Sequence, residues 1–399
     1  MSEQRERGGG KGGTGGRRAL VYVQHLLGIG HLQRAATLAR ALAKEGLQVT
    51  LASGGAVVPG MTVEKVKFVQ LPPASAADLS FKSLVDEAGC AVDDAWKRRR
   101  SAALLDTWRA ADPHVLVLEL FPFGRRQMRF ELLPLLERAA AAPRRPAIVC
   151  SVRDILSGQK SAERQAETLD LVRRYFDDVL VHGDPALVGF ERTFPLAAGI
   201  AQKLHYTGYV LDEPAAHASR AGENEVIVSA GGGAVGERLL EAAIEAKPLT
   251  GLRHRTWRVL AGGNLQQPVY ERLARLAQRA GGVVLEKSRP DFTTLLANCA
   301  LSISQAGYNT LLETVRAGAR AVAVPFAGGA ETEQALRARC FAERGLLDVV
   351  EESALTPQVL AAAVDRAAAR PRPVFGGIDF DGARNSASRI ARWAAQYGA

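Results

Sequence analysis

Three short segments of this sequence combine glycine with polar side chains, and each follows a short apolar run. They are residues 28–34, 229–234 and 304–313. Each pattern predicts a buried strand that passes through a glycine turn into the start of a helix. The first N–H groups of a helix have no partner inside it, and the helix dipole adds partial positive charge at the same end. Each turn is therefore a candidate site for an anionic group such as a phosphate.

The third segment, Ser-Gln-Ala-Gly-Tyr-Asn-Thr-Leu-Leu-Glu, carries the most detailed pattern. The N–H groups that it offers to an anion belong to Gly307, Tyr308, Asn309 and Thr310. Glu313 lies further along the same predicted helix, within reach of a ribose if a phosphate sits at the helix start. For the glycine alone, the alternative is an ordinary strand-to-helix turn in which Gly307 only eases packing.

A second turn of the same type lies in the same half of the chain and contains Ser229, Gly231, Gly232 and Gly233. The helix predicted after it also presents N–H groups toward an anion. Two such turns in one domain indicate a diphosphate site more strongly than either turn alone.

The first segment, Gly28-Ile-Gly30-His31-Leu-Gln-Arg34, places a histidine at the carboxyl end of the first predicted strand. An imidazole has a pKa near neutrality and can accept a proton from an attacking hydroxyl. The alternative is a histidine that only packs against its own loop. Other polar groups at predicted strand ends are Glu119, Arg153, Asp154 and Asp184, and for the two aspartates helix capping is the structural alternative.

These motifs resemble those of the family 28 glycosyltransferases, which include the MurG-like N-acetylglucosaminyltransferases. The resemblance is specific over residues 30–34, 229–234 and 304–334, and the last of these runs through Pro325-Phe326 to Glu333-Gln334. The first loop is also similar to that of the UDP-sugar hydrolase of pseudaminic acid synthesis. The chain departs from the family pattern at the polar pair, where Glu333-Gln334 replaces the usual Gln-Gln or Asp-Gln, and a few residues later, where Arg337-Ala338 replaces the usual Asn-Ala. The pattern therefore leaves the donor sugar undetermined.

The resemblance implies an α/β protein of the GT-B type, with two Rossmann-like, doubly wound domains that face each other across a cleft. It implies that the second domain binds a nucleotide-sugar donor, a UDP-hexose, and that the first binds a hydroxyl acceptor, either a small molecule or lipid-linked. The expected donor-binding residues are Ser229, Gly231, Gly232, Gly233, Phe292, Gly307, Tyr308, Asn309, Thr310, Glu313, Glu333 and Gln334. The expected acceptor-side residues are Gly28, Gly30, Arg34, Glu119 and Arg153, with His31 and Asp154 as catalytic candidates.

The expected activity is inverting transfer of a hexose, N-acetylglucosamine or a related sugar, from a UDP-sugar to a hydroxyl. No Asp-x-Asp follows a predicted strand, and Asp379-Phe-Asp381 lies in a predicted loop, so we expect neither a metal nor another cofactor. Three alternatives share these observations. A UDP-sugar hydrolase uses water as the acceptor, a sugar-nucleotide 2-epimerase needs additional carboxylates in the cleft, and a nucleotide- or nucleic-acid-binding module uses only the basic surface.

Strands and helices alternate on both sides of residues 209–223, which predicts two parallel, doubly wound sheets. In the first half, strands are predicted at residues 19–24, 49–52, 66–71, 115–118, 147–151 and 179–182, and helices at 35–44, 78–109, 128–142 and 161–175. In the second half, strands are predicted at 225–230, 258–261, 282–285, 300–304 and 347–350, and helices at 235–246, 269–280, 292–298, 331–343, 357–369 and 381–396.

The expected organisation is a Gly-rich basic tail at residues 1–18, an acceptor domain at 19–208, a linker at 209–223, a donor domain at 224–375, and a final helix at 376–399 that packs back on the first domain. The glycines of the tail do not predict a phosphate-binding loop, because no strand precedes them and no Lys-Ser or Lys-Thr closes the motif. The composition of the tail predicts disorder.

The composition, 47% apolar and 23% charged, predicts a globular chain long enough for two full cores. The four cysteines are far apart without a Cys-x-x-Cys, which indicates neither disulfides nor zinc and fits a reducing compartment. No apolar run reaches the roughly 18 residues of a membrane span, and no signal peptide is evident. We expect a cytoplasmic protein with at most peripheral contact with the inner face of the membrane. The net charge is +9, but the basic residues do not form the clustered pattern that is typical of nucleic-acid-binding proteins.

Overall fold

A seven-stranded parallel sheet forms the first domain. A computed structural model of the protein describes residues 16–26, 28–77, 83–156, 158, 161–213, 219–231, 236–263, 265–327, 332–374 and 376–397. The strands of this domain are β1 (Arg18–Val23), β2 (Gln48–Ser53), β3 (Val66–Gln70), β4 (Ser75–Ala76), β5 (Leu84–Val85), β6 (Val115–Glu119), β7 (Ala147–Arg153), β8 (Asp178–His182) and β9 (Leu204–Tyr206). Its helices are α1 (Gly30–Lys44), α2 (Asp94–Ala111), α3 (Arg129–Ala140) and α4 (Ala162–Tyr175).

The strands of this sheet lie in the order β3-β2-β1-β6-β7-β8-β9, and all neighbours are parallel. All five residues of β6 are buried, as expected of a strand that is covered by helices on both faces. The strand order reverses between β1 and β6. At such a switch point the connecting segments leave in opposite directions and open a crevice at the carboxyl ends of the two strands.

The second domain repeats this architecture with six parallel strands. Its strands are β10 (Val226–Ser229), β11 (Trp257–Leu260), β12 (Val283–Glu286), β13 (Leu301–Ser304), β14 (Ala321–Ala323) and β15 (Asp348–Val349). The helices that follow the first domain are α5 (Glu237–Ala246), α6 (Gln267–Ala280), α7 (Phe292–Asn298), α8 (Tyr308–Arg316), α9 (Glu333–Glu343), α10 (Pro357–Ala369) and α11 (Gly382–Gln396). The strand order, β12-β11-β10-β13-β14-β15, reverses between β10 and β13.

The last helix, α11, packs on the first domain. Ala387, Ile390 and Ala394 are fully buried in the core that contains residues of β1 and α1. The segment before α11 runs beside the segment that leads out of the first domain. The two are joined by a hydrogen bond from the Tyr209 N–H to the Asp379 carbonyl at 2.7 Å. Tyr209 itself is fully buried, so the beginning of the predicted linker belongs to the packed interior.

The structure corrects the boundaries of two predicted helices. The helix predicted at residues 78–109 is wrong over 83–93, which contain β5 and a turn. Helix α2 begins only after Asp93, whose carboxylate accepts a hydrogen bond from the Trp96 N–H at 2.6 Å and so caps the helix. Helix α1 begins at Gly30 and not at residue 35, and the predicted tail ends before Arg18, which opens β1. Residues 1–15 and 78–82 lie outside the described residues.

Candidate functional site

A cavity of about 610 Å³ lies between the two domains. The first domain lines it with α1, and the second lines it with the ends of β10 and β11 and the starts of α7 and α8. Both domains therefore face the cavity with segments that follow their sheets. Of the predicted donor-binding residues, the cavity is lined by Ser229, Gly231, Phe292, Asn309, Thr310 and Glu313.

The two glycine turns of the second domain lie side by side. Strands β10 and β13 are neighbours, and Ser229 pairs in register with Ser304, so the turns after them meet at the switch point. A Cβ built on Gly231 or on Gly307 has no atom within 4 Å, so the space next to these two glycines is open. The backbone of Gly231 has φ +73°, a conformation that favours glycine. Gly232 and Gly233 lie outside the described residues.

The N-terminus of α8 has no side-chain cap. Its first-turn N–H groups are therefore available to a ligand. The side chains of this turn point in different directions. Asn309 Nδ2 donates to the Gln33 side chain of the first domain at 3.1 Å, whereas the Tyr308 hydroxyl donates to the His182 carbonyl at 3.3 Å. Tyr308 is thus a contact between the domains, and only its backbone remains a candidate for binding a donor.

Glu313 of α8 lines the cavity, and no described hydrogen bond engages its carboxylate. Burial raises the pKa of Glu313 to about 7, although the nearby Arg316 guanidinium acts in the opposite direction. The group is therefore close to half ionised at neutral pH. A partner that donates hydrogen bonds to this carboxylate will favour its ionised form.

The other end of the cavity, after β12, is lined by Lys287, Arg289 and Phe292. Arg289 binds Asp291 through two hydrogen bonds of 2.8 and 2.6 Å, so this guanidinium is held in a fixed orientation. Phe292, which carries an aromatic ring, is the first residue of α7 and follows Asp291 directly in the chain. A flat apolar group next to an ordered ion pair is a candidate contact for a nucleobase.

His31 and Glu119 form a hydrogen-bonded pair at the switch point of the first domain. Glu119 ends β6, and His31 lies in the first turn of α1, which follows β1. His31 Nδ1 lies 2.8 Å from Glu119 Oε1, and Arg34 also donates to that oxygen. Because a carboxylate can only accept, the Nδ1–H of His31 donates to it, and the lone pair of the neutral ring is on Nε2. This is the arrangement by which a carboxylate orients a general base.

Electrostatics keep this pair as a neutral imidazole and a carboxylate. Burial lowers the pKa of His31 to about 3, an effect that Glu119 opposes and that the charges of Arg125 and Arg153 reinforce. Burial by itself raises the pKa of Glu119, but the neighbouring His31 and Arg34 hold it well below its usual range. At neutral pH the ring is therefore unprotonated, and among the charged groups that act on it Glu119 is the one that favours the imidazolium.

Arg153, Asp154, Glu333 and Arg337 form a buried ion-pair network between the domains. Arg337 Nη2 donates to Asp154 Oδ1 at 2.6 Å, and Arg337 Nη1 donates to Glu333 Oε1 at 2.9 Å. Arg153 Nη1 lies 2.6 Å from the same Glu333 oxygen. The ring of Tyr308 lies next to this network, 4.7 Å from the Arg337 guanidinium carbon. Asp154 and Arg337 have no accessible surface.

This network contains two residues that the sequence analysis placed in the functional site, and both stay predictions. Asp154 was a candidate for catalysis, but its carboxylate is enclosed by Arg337, by the Tyr209 hydroxyl at 3.0 Å and by the Ile155 N–H at 2.9 Å. Glu333 was expected on a donor hexose, but it is buried against Arg153 and Arg337. Both carboxylates form ion pairs between the domains, because a buried charge is costly without a partner of opposite charge.

The remaining predicted residues have local roles. Gln334 accepts a hydrogen bond from the Phe326 N–H at 3.2 Å and so ties the Pro-Phe loop to α9. Asp184 accepts from the Ala186 N–H at 2.9 Å, as a turn-capping aspartate does. Gly28 and Gly30 lie in open space, where a Cβ has no atom within 4 Å.

Among the described residues, no group of three His, Cys, Asp or Glu side chains is placed to hold a metal ion.

Sequence reasoning missed Arg125 and Arg337. Arg125 follows β6 and acts electrostatically on both His31 and Glu119. Arg337 lies four residues after Glu333 on α9, and this spacing is the only signal for their contact. The partners of Arg337 and Arg125 in the first domain are more than 90 residues away in the sequence, and no periodic pattern links them.

Residues 226–373 match the glycosyltransferase family 28 C-terminal domain. A comparison with curated proteins finds no significant match to this sequence. The matched range begins at β10 and extends past α10, so it contains both glycine turns and Glu313. The predicted resemblance to family 28 is thereby confirmed for the second domain.

Solved structures similar to this chain are GT-B glycosyltransferases. MurG of Acinetobacter baumannii is 14% identical with a TM-score of 0.56, covering 94% of this chain and 95% of its own. The calicheamicin glycosyltransferase CalG4 is 18% identical with a TM-score of 0.57, covering 96% and 95%. A UDP-glucosyltransferase from Polygonum tinctorium is 15% identical with a TM-score of 0.60, covering 95% and 99%. At these identities the likeness concerns the fold.

The fold and the family match together define a glycosyltransferase of the GT-B type. Its second domain matches the family 28 C-terminal domain, and over that domain the protein resembles family 28. The predicted fold class, two Rossmann-like domains facing across a cleft, is confirmed. In the described part of the chain, no helix is both long and apolar enough to cross a membrane.

Proposed function

We propose that this protein transfers a hexose from a UDP-sugar to a hydroxyl acceptor, with inversion at the anomeric carbon and without a metal. The observation that carries the proposal is the distribution of groups around one cavity. The first domain lines the cavity with Arg34, and Arg34 binds Glu119, which orients the neutral imidazole of His31; His31 and Glu119 themselves are not among the residues that line the cavity. The second domain contributes two open helix-start turns and the free carboxylate of Glu313.

The donor is proposed to lie along the ends of β10 and β13. Its pyrophosphate would accept hydrogen bonds from the N–H groups at Gly231 and at Gly307 to Thr310. The ribose hydroxyls would donate to Glu313, and the nucleobase would lie against Phe292. Helix N-termini supply fixed partial positive charge where the leaving diphosphate becomes more negative, and this stabilises the transition state without a metal.

The transfer is proposed as a single displacement. The acceptor hydroxyl gives its proton to His31 Nε2 while its oxygen forms a bond to the anomeric carbon. The bond from that carbon to the β-phosphate oxygen breaks on the opposite face, and its electron pair leaves with UDP. Glu119 then faces an imidazolium, which it stabilises through the 2.8 Å hydrogen bond.

Calorimetric titration tests the donor half of this proposal. UDP and UDP-glucose are expected to bind to the protein in EDTA, and Glu313→Gln is expected to weaken both. GDP and dTDP measure how selective the site is for the base. Equal weak binding of every nucleotide, or binding that requires a divalent ion, would contradict the proposed donor or the proposed metal independence.

The acceptor half is tested by product analysis. With UDP-glucose and a panel of hydroxyl acceptors, the expected product is a glycoside of inverted configuration, identified by NMR. Release of free glucose at the full rate without any acceptor would instead favour the hydrolase alternative. The two outcomes use the same site, so only the identity of the product distinguishes them.

A further inference from the structure

Arg125 carries two guanidinium nitrogens without a partner beside the His31–Glu119 pair. It lies six residues after the end of β6, and its Nε donates to the Gln24 carbonyl at 2.6 Å. Gln24 directly follows β1, so this bond holds the side chain across the ends of the two switch-point strands. Within the described part of the chain, neither Nη atom of Arg125 makes a hydrogen bond or ion pair.

The charges around His31 do not cancel. Four arginines, Arg34, Arg125, Arg153 and Arg337, interact with three carboxylates, Glu119, Asp154 and Glu333. Arg34 forms an ion pair with Glu119, and Arg153 and Arg337 form ion pairs with the carboxylates of the network between the domains. One positive charge, that of Arg125, remains in a partly buried position. A partly buried guanidinium without an ion-pair partner favours an anionic ligand that reaches its Nη atoms.

We propose that Arg125 binds a carboxylate on the acceptor, next to the hydroxyl that His31 deprotonates. The inference rests on the proposed function and adds the class of acceptor, a hydroxy acid. One free guanidinium fork matches the two oxygens of one carboxylate in a bidentate pair. The surplus is a single charge, which a monoanion balances, whereas a phosphate dianion would leave an excess negative charge.

The position of Arg125 assigns the carboxylate to the acceptor and not to the transferred sugar. Arg125 belongs to the first domain, and its electrostatic partners, His31, Glu119 and Arg153, all belong to that domain. The turns proposed for the donor belong to the second domain. The acceptor is therefore the reactant that lies next to Arg125.

Paired titrations test the inference. Glycolate, 4-hydroxybenzoate and D-glucuronate, each beside its primary amide, are titrated by calorimetry into the protein with and without saturating UDP. At least one acid is expected to bind about tenfold or more tightly than its amide, because its hydrogen bonds to Arg125 are charge-assisted. Arg125→Met should abolish this preference, and Arg125→Lys should keep part of it, because it retains the charge without the fork.

Arg126→Met is the matched control. Arg126 is the next residue, is largely exposed and pairs with Glu167, so this variant should keep the wild-type preference for the acid. If no acid is preferred over its amide, or if Arg125→Met keeps the preference, the proposal is wrong. A preference for UDP-glucuronate over UDP-glucose that Arg125→Met removes would also overturn it, because the carboxylate would then be on the donor. If UDP does not bind, the proposed function is contradicted. The role of Arg125 is then decided by the titrations that contain no UDP.

Discussion

The chemistry proposed for His31 depends on one hydrogen bond and one proton. Glu119 accepts a hydrogen bond from Nδ1 of His31, which leaves Nε2 as the basic atom. Burial lowers the pKa of the ring to about 3, so the ring is neutral at physiological pH. We predict that His31→Ala lowers kcat by about 10² to 10⁴. Donor affinity should change little, because the proposed donor contacts lie in the second domain. Steady-state kinetics with calorimetry of UDP-glucose measures both quantities.

His25 provides an internal control for this prediction. It follows the same strand, but it is buried, and its Nε2 lies 3.1 Å from the Ala56 carbonyl. His25→Ala should therefore reduce thermal stability more than turnover. Should His31→Ala keep most of its turnover, or lose donor binding in proportion to turnover, His31 is not the base.

Glu313 should make donor binding depend on pH. Its pKa of about 7 means that the ionised fraction rises from about a tenth at pH 6 to about nine tenths at pH 8. The ionised form is the better acceptor for ribose hydroxyls, so the affinity for UDP-glucose should rise up to about tenfold over this range. UDP-glucose is the suitable ligand, because its diphosphate does not titrate near neutrality. Calorimetry at pH 6, 7 and 8 measures the effect.

The matched variants for this prediction are Glu313→Gln and Glu271→Gln. Glu313→Gln should bind UDP-glucose about 1.5 to 3 kcal/mol more weakly than the wild type at pH 8, and its affinity should not change with pH. Glu271 lies on the exposed face of α6, so Glu271→Gln should retain the wild-type pH profile. A wild-type affinity that is flat from pH 6 to pH 8 would contradict the ribose role.

At the scale of elements, α11 is a C-terminal segment that stabilises the N-terminal domain. Ile390 is fully buried among residues of β1, β2 and α1. We predict that Ile390→Ala lowers the free energy of unfolding by about 2 to 5 kcal/mol, through lost burial and the cavity that remains. Val359→Ala, at an exposed position on α10, should change it by about 0.5 kcal/mol or less. Denaturant unfolding followed by circular dichroism compares the two.

The elements that the sequence predicts best have a local start signal. Helix α10 begins at Pro357 after Thr356, whose hydroxyl accepts from the Val359 N–H at 3.2 Å, and it occupies the predicted range. Helix α4 is likewise capped by Ser161. The prediction failed over residues 83–93, where the chain makes β5 and a turn instead of continuing a helix. That hairpin depends on contacts with β4, which local propensity does not encode.

The candidate site divides in the same way. Gly231, Gly307 and Glu313 could be found because each turn and its helix are continuous in the sequence. The contact of Asp154 with Arg337 could not be predicted, because the two residues are 183 positions apart in the sequence and lie in different domains. A strand-end aspartate looks the same in sequence whether it faces a ligand or a buried arginine.

At the scale of the whole molecule, polar contacts between the domains complement their apolar packing. Tyr308 of α8 lies against Arg337 and Arg34 and donates to the His182 carbonyl, and Asn309 reaches Gln33. One cluster of buried apolar side chains contains residues of both domains, including Ile155 of the first and Phe341 of the second. Buried charge and apolar packing therefore both hold the two domains together.

The last prediction concerns the buried ion pair of Asp154 and Arg337 between the domains. Arg337→Met leaves Asp154 buried without its counter-ion, so it should lower the free energy of unfolding by about 3 to 5 kcal/mol. The double variant Asp154→Asn with Arg337→Met removes both charges and should recover a large part of that loss. Arg339→Met on the same helix breaks only an exposed pair with Glu351 and should cost about 1 kcal/mol or less. If the double variant also retains turnover, Asp154 is a structural residue, because a catalytic carboxylate could not be replaced by an amide without loss. If Arg337→Met is no more destabilising than Arg339→Met, the buried pair does not hold the domains together.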